Sequence, residues 1–280
     1  MISITDLQRI NKALLESTGV DFSNYAFSSY KRRIIRFIEI NKIRDLNYFV
    51  DRIITDSEFA ANLIKEITVN VTEMFRDPSF WIILRDIILH KLRSKESLNI
   101  WHAACSTGEE VYSMAILLKE SGMLEHTKIV ATDLNRNVLR VAEKGVYQLR
   151  SMETNCKNYE QFNNKGKLSD YYSVVDNEAQ FDKKLIDNVT FMCHNLGQDD
   201  SISGFDLIIC RNVLIYFNFE LQEKVIQTFS ESMQQGSFLG IGSKESINWC
   251  KASRFFEVES YEEKIFRRIG EGEIIHNFRI

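Results

Sequence analysis

The sequence contains no apolar run approaching the roughly 20 residues of a membrane-spanning helix, so no membrane insertion is expected. Its first residues, "MISITDLQRINKALLESTGVDF", lack a basic stretch leading into an apolar core, so no secretory signal is expected. No two cysteines are spaced CxxC. Cys105, Cys193 and Cys210 instead lie inside apolar runs, which predicts buried, reduced thiols and a cytoplasmic location. The histidines do not cluster at metal-ligand spacing, so no metal is expected. The formal net charge of −4 gives no electrostatic push toward nucleic acid. Two Asn-Val-Thr sequons, at Asn70 and Asn188, read as unmodified in a chain without an export signal. There is no internal repeat and no low-complexity segment.

What is present reads as two kinds of sequence. Residues 1–68 carry helical periodicity throughout, with Ile4, Leu7, Ile10 and Leu14 forming the first apolar stripe, which stops at Gly19. A second helical stretch places Lys31, Arg32, Arg33 and Arg36 on a basic face. Next comes a polar loop, Asn70 to Arg76. The only proline, Pro78, follows Asp77, which predicts an Asp N-cap with proline at the first helical position and a helix to about Arg93.

From Ser97 the pattern alternates. The stretches "LNIWHAAC", "TKIVATDL", "NVTFMCHNL", "FDLIICRNVLIYF" and "SFLGIGS" read as strands, and "EEVYSMAILLKESG", "RNVLRVAEKGVY" and "FELQEKVIQTFSESM" as helices. Near-continuous apolar strands argue for a mostly parallel sheet covered on both faces. The closing pair "RFFEVES" and "EKIFRRI" reads as a hairpin that adds an antiparallel strand. A polar, loop-like excursion at about 148–188 interrupts the alternation. Within it, "DYYSVV" and "EAQFDKKLI" can pair around "DNE" as a small β insertion.

Ligands of open α/β sheets bind beyond the carboxyl ends of the strands. Those ends carry Ser106-Thr107-Gly108-Glu109-Glu110, Thr132-Asp133, His194-Asn195-Leu196 and Arg211-Asn212. A dinucleotide fold would place several glycines in the first turn, and this turn has one. Glu109 and Glu110 follow it. They can simply complement the helix dipole. They would also repel a pyrophosphate and compete for the N–H groups that bind it. A phosphate-free, positively charged nucleoside such as S-adenosylmethionine would be welcome there. Asp133 suits ribose hydroxyls, or it caps the following helix. Arg76 can clamp a carboxylate or pair with a neighbour such as Asp77. Tyr216 can line the opening or pack on a helix.

Together "NVTEMFRDPSFW", "HAACSTGEEVYSMA", "VATDLNRNVLRVAEKGVY", "HNL", "FDLIICRNVLIYF" and "GSFLGIGSKES" resemble the successive motifs of the CheR family, the chemotaxis-receptor glutamate O-methyltransferases. The resemblance covers nearly the whole chain. It implies a class I S-adenosylmethionine-dependent methyltransferase, Rossmann-like, with a small N-terminal helical domain over 1–68. The methyltransferase domain would span 69–280, with the family's β-subdomain at the insertion. It implies cofactor contacts from Asn70, Thr72, Arg76, Ala104, Gly108, Asp133, Asn195, Leu196, Arg211 and Asn212, and from Glu109 or Glu110. Arg76 and Tyr216 would sit at the methyl-transfer centre. S-adenosylhomocysteine would be the product. The implied partners are the glutamate-rich cytoplasmic helices of a receptor, with a receptor C-terminal peptide at the β insertion, for a monomeric enzyme. Three positions depart from the family's pattern: His102 lies where the family usually has a small residue, Glu73-Met74 replaces a more apolar pair, and Lys244 in the last strand motif differs from many relatives.

Readings outside receptor methylation are a small-molecule or RNA methyltransferase, a non-catalytic S-adenosylmethionine-binding regulator, and an NAD-dependent oxidoreductase. The acidic balance weighs against RNA. The missing glycines weigh against NAD.

Overall fold

The computed structural model describes residues 2–270; residues 271–280 of the expected 69–280 domain lie outside them. Two compact units form. One comprises the described residues up to Asn70 together with Leu214–Gln222. The other comprises Val71–Val213 and the described residues from Glu223 onward.

The first unit contains α1 (Ile4–Thr18), α2 (Phe27–Ile40), α3 (Leu46–Thr55) and α4 (Ser57–Thr68). Ser3 and Asp6 bond reciprocally across the first turn of α1, and Gly19 closes it in the left-handed region at φ 75°. Asp56 separates α3 from α4. Its carboxylate accepts the Phe59 N–H at 2.9 Å and pairs with Arg52 at 2.6 Å. Phe37, Phe49 and Phe59 pack against one another in the core. The basic face of α2 is partly neutralised, because Arg33 and Arg36 both turn onto Glu66, at 3.4 and 3.3 Å.

The second unit opens on α5 (Pro78–Ile83) and α6 (Leu89–Leu92), joined through a π turn at Leu84–Ile88. The helix therefore covers the expected span with one irregular turn. The expected Asp77 cap does not form. Asp77 adopts φ 56° and makes no capping bond, because its carboxylate is taken by Arg211.

There follow β1 (Leu98–Ala103), α7 (Glu109–Glu120), β2 (Thr127–Asp133), α8 (Arg136–Lys144), β3 (Val146–Gln148) and α9 (Met152–Phe162). Then come β4 (Tyr172–Val175), β5 (Glu178–Phe181), β6 (Val189–Cys193), β7 (Phe205–Cys210), α10 (Phe219–Ser232), β8 (Met233–Ile241), β9 (Phe256–Ser260) and β10 (Ile265–Arg268). The large sheet runs β6-β2-β1-β7-β8-β10-β9. The first five in that order are parallel, and β10 runs antiparallel to both its neighbours. Chain order reverses between β1 and β7, so the crevice for ligands opens beyond their carboxyl ends. Between Val111 and Leu118 every residue of α7 is buried. That explains its weak amphipathic pattern.

Three sequence expectations need correction. The helix read through "RNVLRVAEKGVY" stops at Lys144, capped by Gly145 at φ 58°, and Val146 already belongs to β3. A Cβ at Gly145 would lie 2.0 Å from the Tyr112 hydroxyl, so this helix end is fixed by close packing as well as by φ. The excursion read as loop-like contains α9, whose face Met152, Asn155, Tyr159 and Phe162 is buried. Its polar residues masked an ordinary helical stripe. Finally, Cys193 is exposed while Cys105 and Cys210 are buried. It ends β6, an edge strand with only one neighbour, so its apolar surroundings in sequence are half uncovered in space.

The small sheet runs β3-β5-β4. Its hairpin turns at Asp176 and Asn177, both with positive φ, as a two-residue turn of the primed type requires. β4 lies on an edge and leaves Val174 and Val175 exposed.

Candidate active site

The site is built on the turn after β1. Ala104 and Ser106 both adopt left-handed φ, 61° and 51°, which coils the chain tightly. The Cys105 N–H donates to the Thr132 carbonyl at 2.8 Å, and the Ser106 N–H donates to Asp133 at 2.9 Å. Tyr147 donates its hydroxyl to the Thr107 carbonyl at 2.9 Å. Gly108 sits at φ 92°, and a Cβ there would lie 2.6 Å from that of Ala142. Glycine is thus required by α8 packing as well as by backbone conformation.

Asp133 bonds main-chain N–H groups of two turns. One oxygen accepts the Asn135 N–H and the other the Ser106 N–H, both at 2.9 Å, so the carboxylate pins both turns. Asn135, not Asp133, caps α8. Each oxygen keeps lone-pair capacity for another donor. Burial pushes Asp133 above the usual carboxylate range, against those N–H bonds. Beside it, Ser106 Oγ and Asn135 Nδ2 are buried without a protein partner among the described residues. Unmatched polar atoms around a carboxylate fit a ligand rich in hydroxyls. Asn195 and Leu196 follow β6, whose end is tied to β2 by the His194 N–H on the Asp133 carbonyl at 3.1 Å. Asn195 Oδ1 accepts from the Gly197 N–H, and Leu196 is buried.

Glu109 and Glu110 have different surroundings. Glu109 accepts from Thr107 Oγ1 at 2.7 Å, and burial, outweighing that bond, pushes its carboxyl up to about 7. Glu110 uses both oxygens on protein: Oε1 on His102 Nδ1 at 3.0 Å, Oε2 on Arg211 at 3.4 Å. Burial works against ionisation here too, but the bond from His102 and the charge of Arg211 outweigh it and hold the carboxyl low.

The Arg211 side chain makes its contacts to protein. Its side chain is only 2% exposed and stacks on Phe80, with Asp77 at 2.6 Å and the Arg76 carbonyl at 3.2 Å. It holds the loop from Val71 to Asp77. That loop contains Thr72, half-buried, and two more left-handed residues, Phe75 and Asp77, on either side of Arg76. Arg76 itself pairs with no acid among the described residues. Its Nη1 reaches only the Val71 carbonyl, at 3.5 Å. The expected alternative, an Arg76–Asp77 pair, does not form; Asp77 pairs with Arg211 instead. Asn212, at φ 62°, donates its N–H to Glu245 at 3.1 Å. Asn70 and Tyr216 belong to the helical unit. Asn70 bonds Thr68 there, and the Tyr216 carbonyl accepts the Ala26 N–H at 2.8 Å.

Residues 5–68 match the profile described as the CheR methyltransferase all-alpha domain, and residues 70–265 match its SAM binding domain. The chain belongs to the CheR methyltransferase family. A Pseudomonas putida protein named Cher3 is 38% identical over 94% of this chain and 96% of its own length. A Listeria monocytogenes protein named chemotaxis protein methyltransferase is 35% identical over 87% of this chain and 92% of its own. Among solved structures, a TehB-like SAM-dependent methyltransferase from Corynebacterium glutamicum aligns with a TM-score of 0.40 at 13% identity, covering 76% of this chain and 98% of that one.

This CheR-family chain is thus an S-adenosylmethionine-dependent methyltransferase on a mostly parallel sheet. Sequence reasoning set Ser106 at the strand end without its bond to Asp133, and it missed Asn135, Asn155, Glu245 and the contact role of His102. Asn155 accepts the Met74 N–H at 3.0 Å, and Glu245 accepts the N–H groups of Asn212 and Gly242. Asn135 carried a usable signal, as the polar residue just before the periodicity of α8. The other partners are distant in sequence, and no local pattern announces them.

Proposed function

We propose that this enzyme methylates glutamate side chains on the cytoplasmic part of chemotaxis receptors, giving methyl esters for sensory adaptation. The observation that carries the reading is Arg76, a guanidinium between two left-handed residues with no acidic partner among the described residues. Such a group can grip an incoming carboxylate with two parallel bonds. The names of relatives, chemotaxis protein methyltransferase in Listeria and Vibrio, support the same substrate class.

Bound S-adenosylmethionine supplies an electrophilic methyl on a positively charged sulfur. Asp133, Ser106 and Asn135 would hold its ribose, Asn195 and Leu196 its adenine. Ala104, Gly108 and Asn212 would shape the backbone around it. Thr72 and Arg76 would face its methionine end. Asn70 and Tyr216 keep the roles the family resemblance gives them, in cofactor binding and at the methyl. Glu109 is the acid left to meet a positive group, since Glu110 is committed to His102 and Arg211. A glutamate carboxylate has a pKa near 4.3, so at neutral pH the nucleophile is already ionised and no base is needed. The residues have to align oxygen, carbon and sulfur. Arg76 orients the oxygen without binding it tightly enough to quench it.

The organisation that follows is a helical domain over 1–68 and a methyltransferase domain over 69–280, with the β insertion at about 148–188. The edge strand β4 would accept a receptor C-terminal peptide by strand addition. The enzyme would act in the cytoplasm as a monomer, without nucleic acid.

The test is incubation with labelled S-adenosylmethionine and receptor-containing membranes. Alkali-labile methanol released from a receptor supports the ester. Cofactor binding without transfer to any receptor would make the chain a regulator instead. Arg76→Ala should lower kcat about 100-fold while S-adenosylhomocysteine affinity stays within about threefold. Equal losses in both would remove the orienting role.

A further inference from the structure

His102 is the residue the proposed reaction leaves unexplained. It lies in β1 opposite Ile209 of β7, at the point where strand order reverses, and its side chain is fully buried. A buried imidazole near the end of a parallel strand needs a reason. Its Nδ1 lies 3.0 Å from Glu110 Oε1, while Nε2 is buried without a partner among the described residues. Ionised Glu110 can only accept, so Nδ1 carries the proton and donates it. The second oxygen of Glu110 faces Arg211 at 3.4 Å. Arg211 in turn bonds Asp77 and the Arg76 carbonyl. Four side chains thus link the sheet switch point to the turn that carries Arg76.

That turn needs support. Phe75 and Asp77 hold left-handed φ without being glycine, a conformation that persists only where surroundings impose it. Ser113 holds the Phe75 N–H at 2.9 Å, and Trp81 Nε1 reaches the Arg76 carbonyl at 3.0 Å. Asp77 depends on Arg211. Arg211 has acidic partners on two sides, Asp77 and Glu110. Without His102, the 3.4 Å contact with Arg211 would be left to hold the Glu110 carboxylate. His102 holds its other oxygen.

We infer that His102 is a positioning residue: it fixes the Glu110 carboxylate so that Arg211 stays locked on the Arg76–Asp77 turn. The chemistry acts through Arg76. His102 sets where Arg76 stands. The kinetic consequence rests on the receptor-methylation reading. The structural consequence does not.

Two variants separate positioning from packing. His102→Leu keeps the volume and removes the donor. His102→Asn is smaller but retains an N–H donor near the Nδ1 position. Hydrogen exchange of the segment 74–78 is measured in the full chain without ligand, alongside thermal unfolding and methyl transfer to receptor-containing membranes. Loss of one bond to a charged group predicts about tenfold faster exchange there and about tenfold lower kcat in His102→Leu, with KM and S-adenosylhomocysteine affinity within about threefold. His102→Asn should restore exchange and kcat to within about threefold of the parent. A packing role predicts the reverse order, with leucine tolerated and asparagine impaired, and that result would overturn the inference. So would parent-like exchange in both variants. If the parent transfers no methyl to a receptor, the proposed function falls, and the exchange of 74–78 still decides the role of His102.

Discussion

The turn after β1 and the loop from Val71 to Asp77 are both strained, and they are held in opposite ways. The turn is fixed from nearby: a backbone carbonyl of Thr132, the Asp133 carboxylate, and contact with Ala142. The loop is fixed mainly from afar, although Trp81, close in sequence, also bonds the Arg76 carbonyl. Met74 leans on Asn155, 81 positions away, and Arg76 on Arg211, 135 positions away. A region held by its own strand ends survives as long as the sheet survives. A region held by single remote side chains can be lost while the sheet remains. This difference matters because the loop carries the guanidinium proposed to orient substrate.

The largest test of the contrast is Arg211→Met. Removing the guanidinium leaves Glu110 and Asp77 without their shared cation; breaking a fully buried ion pair costs about 3–5 kcal/mol, and the 38% exposure of the Asp77 side chain puts this loss at the lower end of that range. Urea unfolding should show a loss of that order, and hydrogen exchange should concentrate the damage in residues 74–78. If exchange rises equally in the turn around Gly108, the two regions are one cooperative unit and the contrast fails.

The same contrast explains what the sequence made legible. Alternating apolar strands and helices announce a parallel sheet. The turn at its first strand end announces a phosphate-free ligand, because Gly108, Glu109, Glu110 and Asp133 are close in sequence or at expected strand ends. The different fates of Glu109 and Glu110 were not legible. They depend on His102 and Arg211, which converge on Glu110 only when β1 pairs with β7. Helix α9 was hidden for a similar reason. Asn155 and Asn158 look like loop residues, yet they face inward to hold the main chain of Met74. Asp77 misled because a residue before proline at a helix start reads as a cap, while tertiary structure offered its carboxylate a cation.

A middle-sized effect comes from Asn155→Ala. It deprives the buried Met74 N–H of its acceptor, which costs about 1–3 kcal/mol. The expected outcome is a loop that exchanges faster, with the affinity for S-adenosylhomocysteine reduced less than methyl transfer. A protein that loses cofactor affinity and turnover in equal proportion would argue that the loop and the turn act as one surface.

The smallest effect distinguishes the two acids of the turn. Glu110 is locked low by His102 and Arg211, whereas burial raises Glu109 from about 4.5 to about 7, partly resisted by Thr107. A raised folded-state pKa means that the folded protein binds this proton more tightly than the unfolded chain does. Its stabilising contribution is complete below about 4.5 and is lost as pH rises through about 7. Thr107→Val removes the bond that favours the ionised form, so the Glu109 pKa should move further up. Unfolding in urea should show the variant losing roughly 1 kcal/mol more, relative to the parent, at pH 8 than at pH 5. In a Glu109→Gln background that pH dependence should vanish. A difference that stays constant with pH would mean that Thr107 supports the turn by packing and leaves the charge of Glu109 untouched.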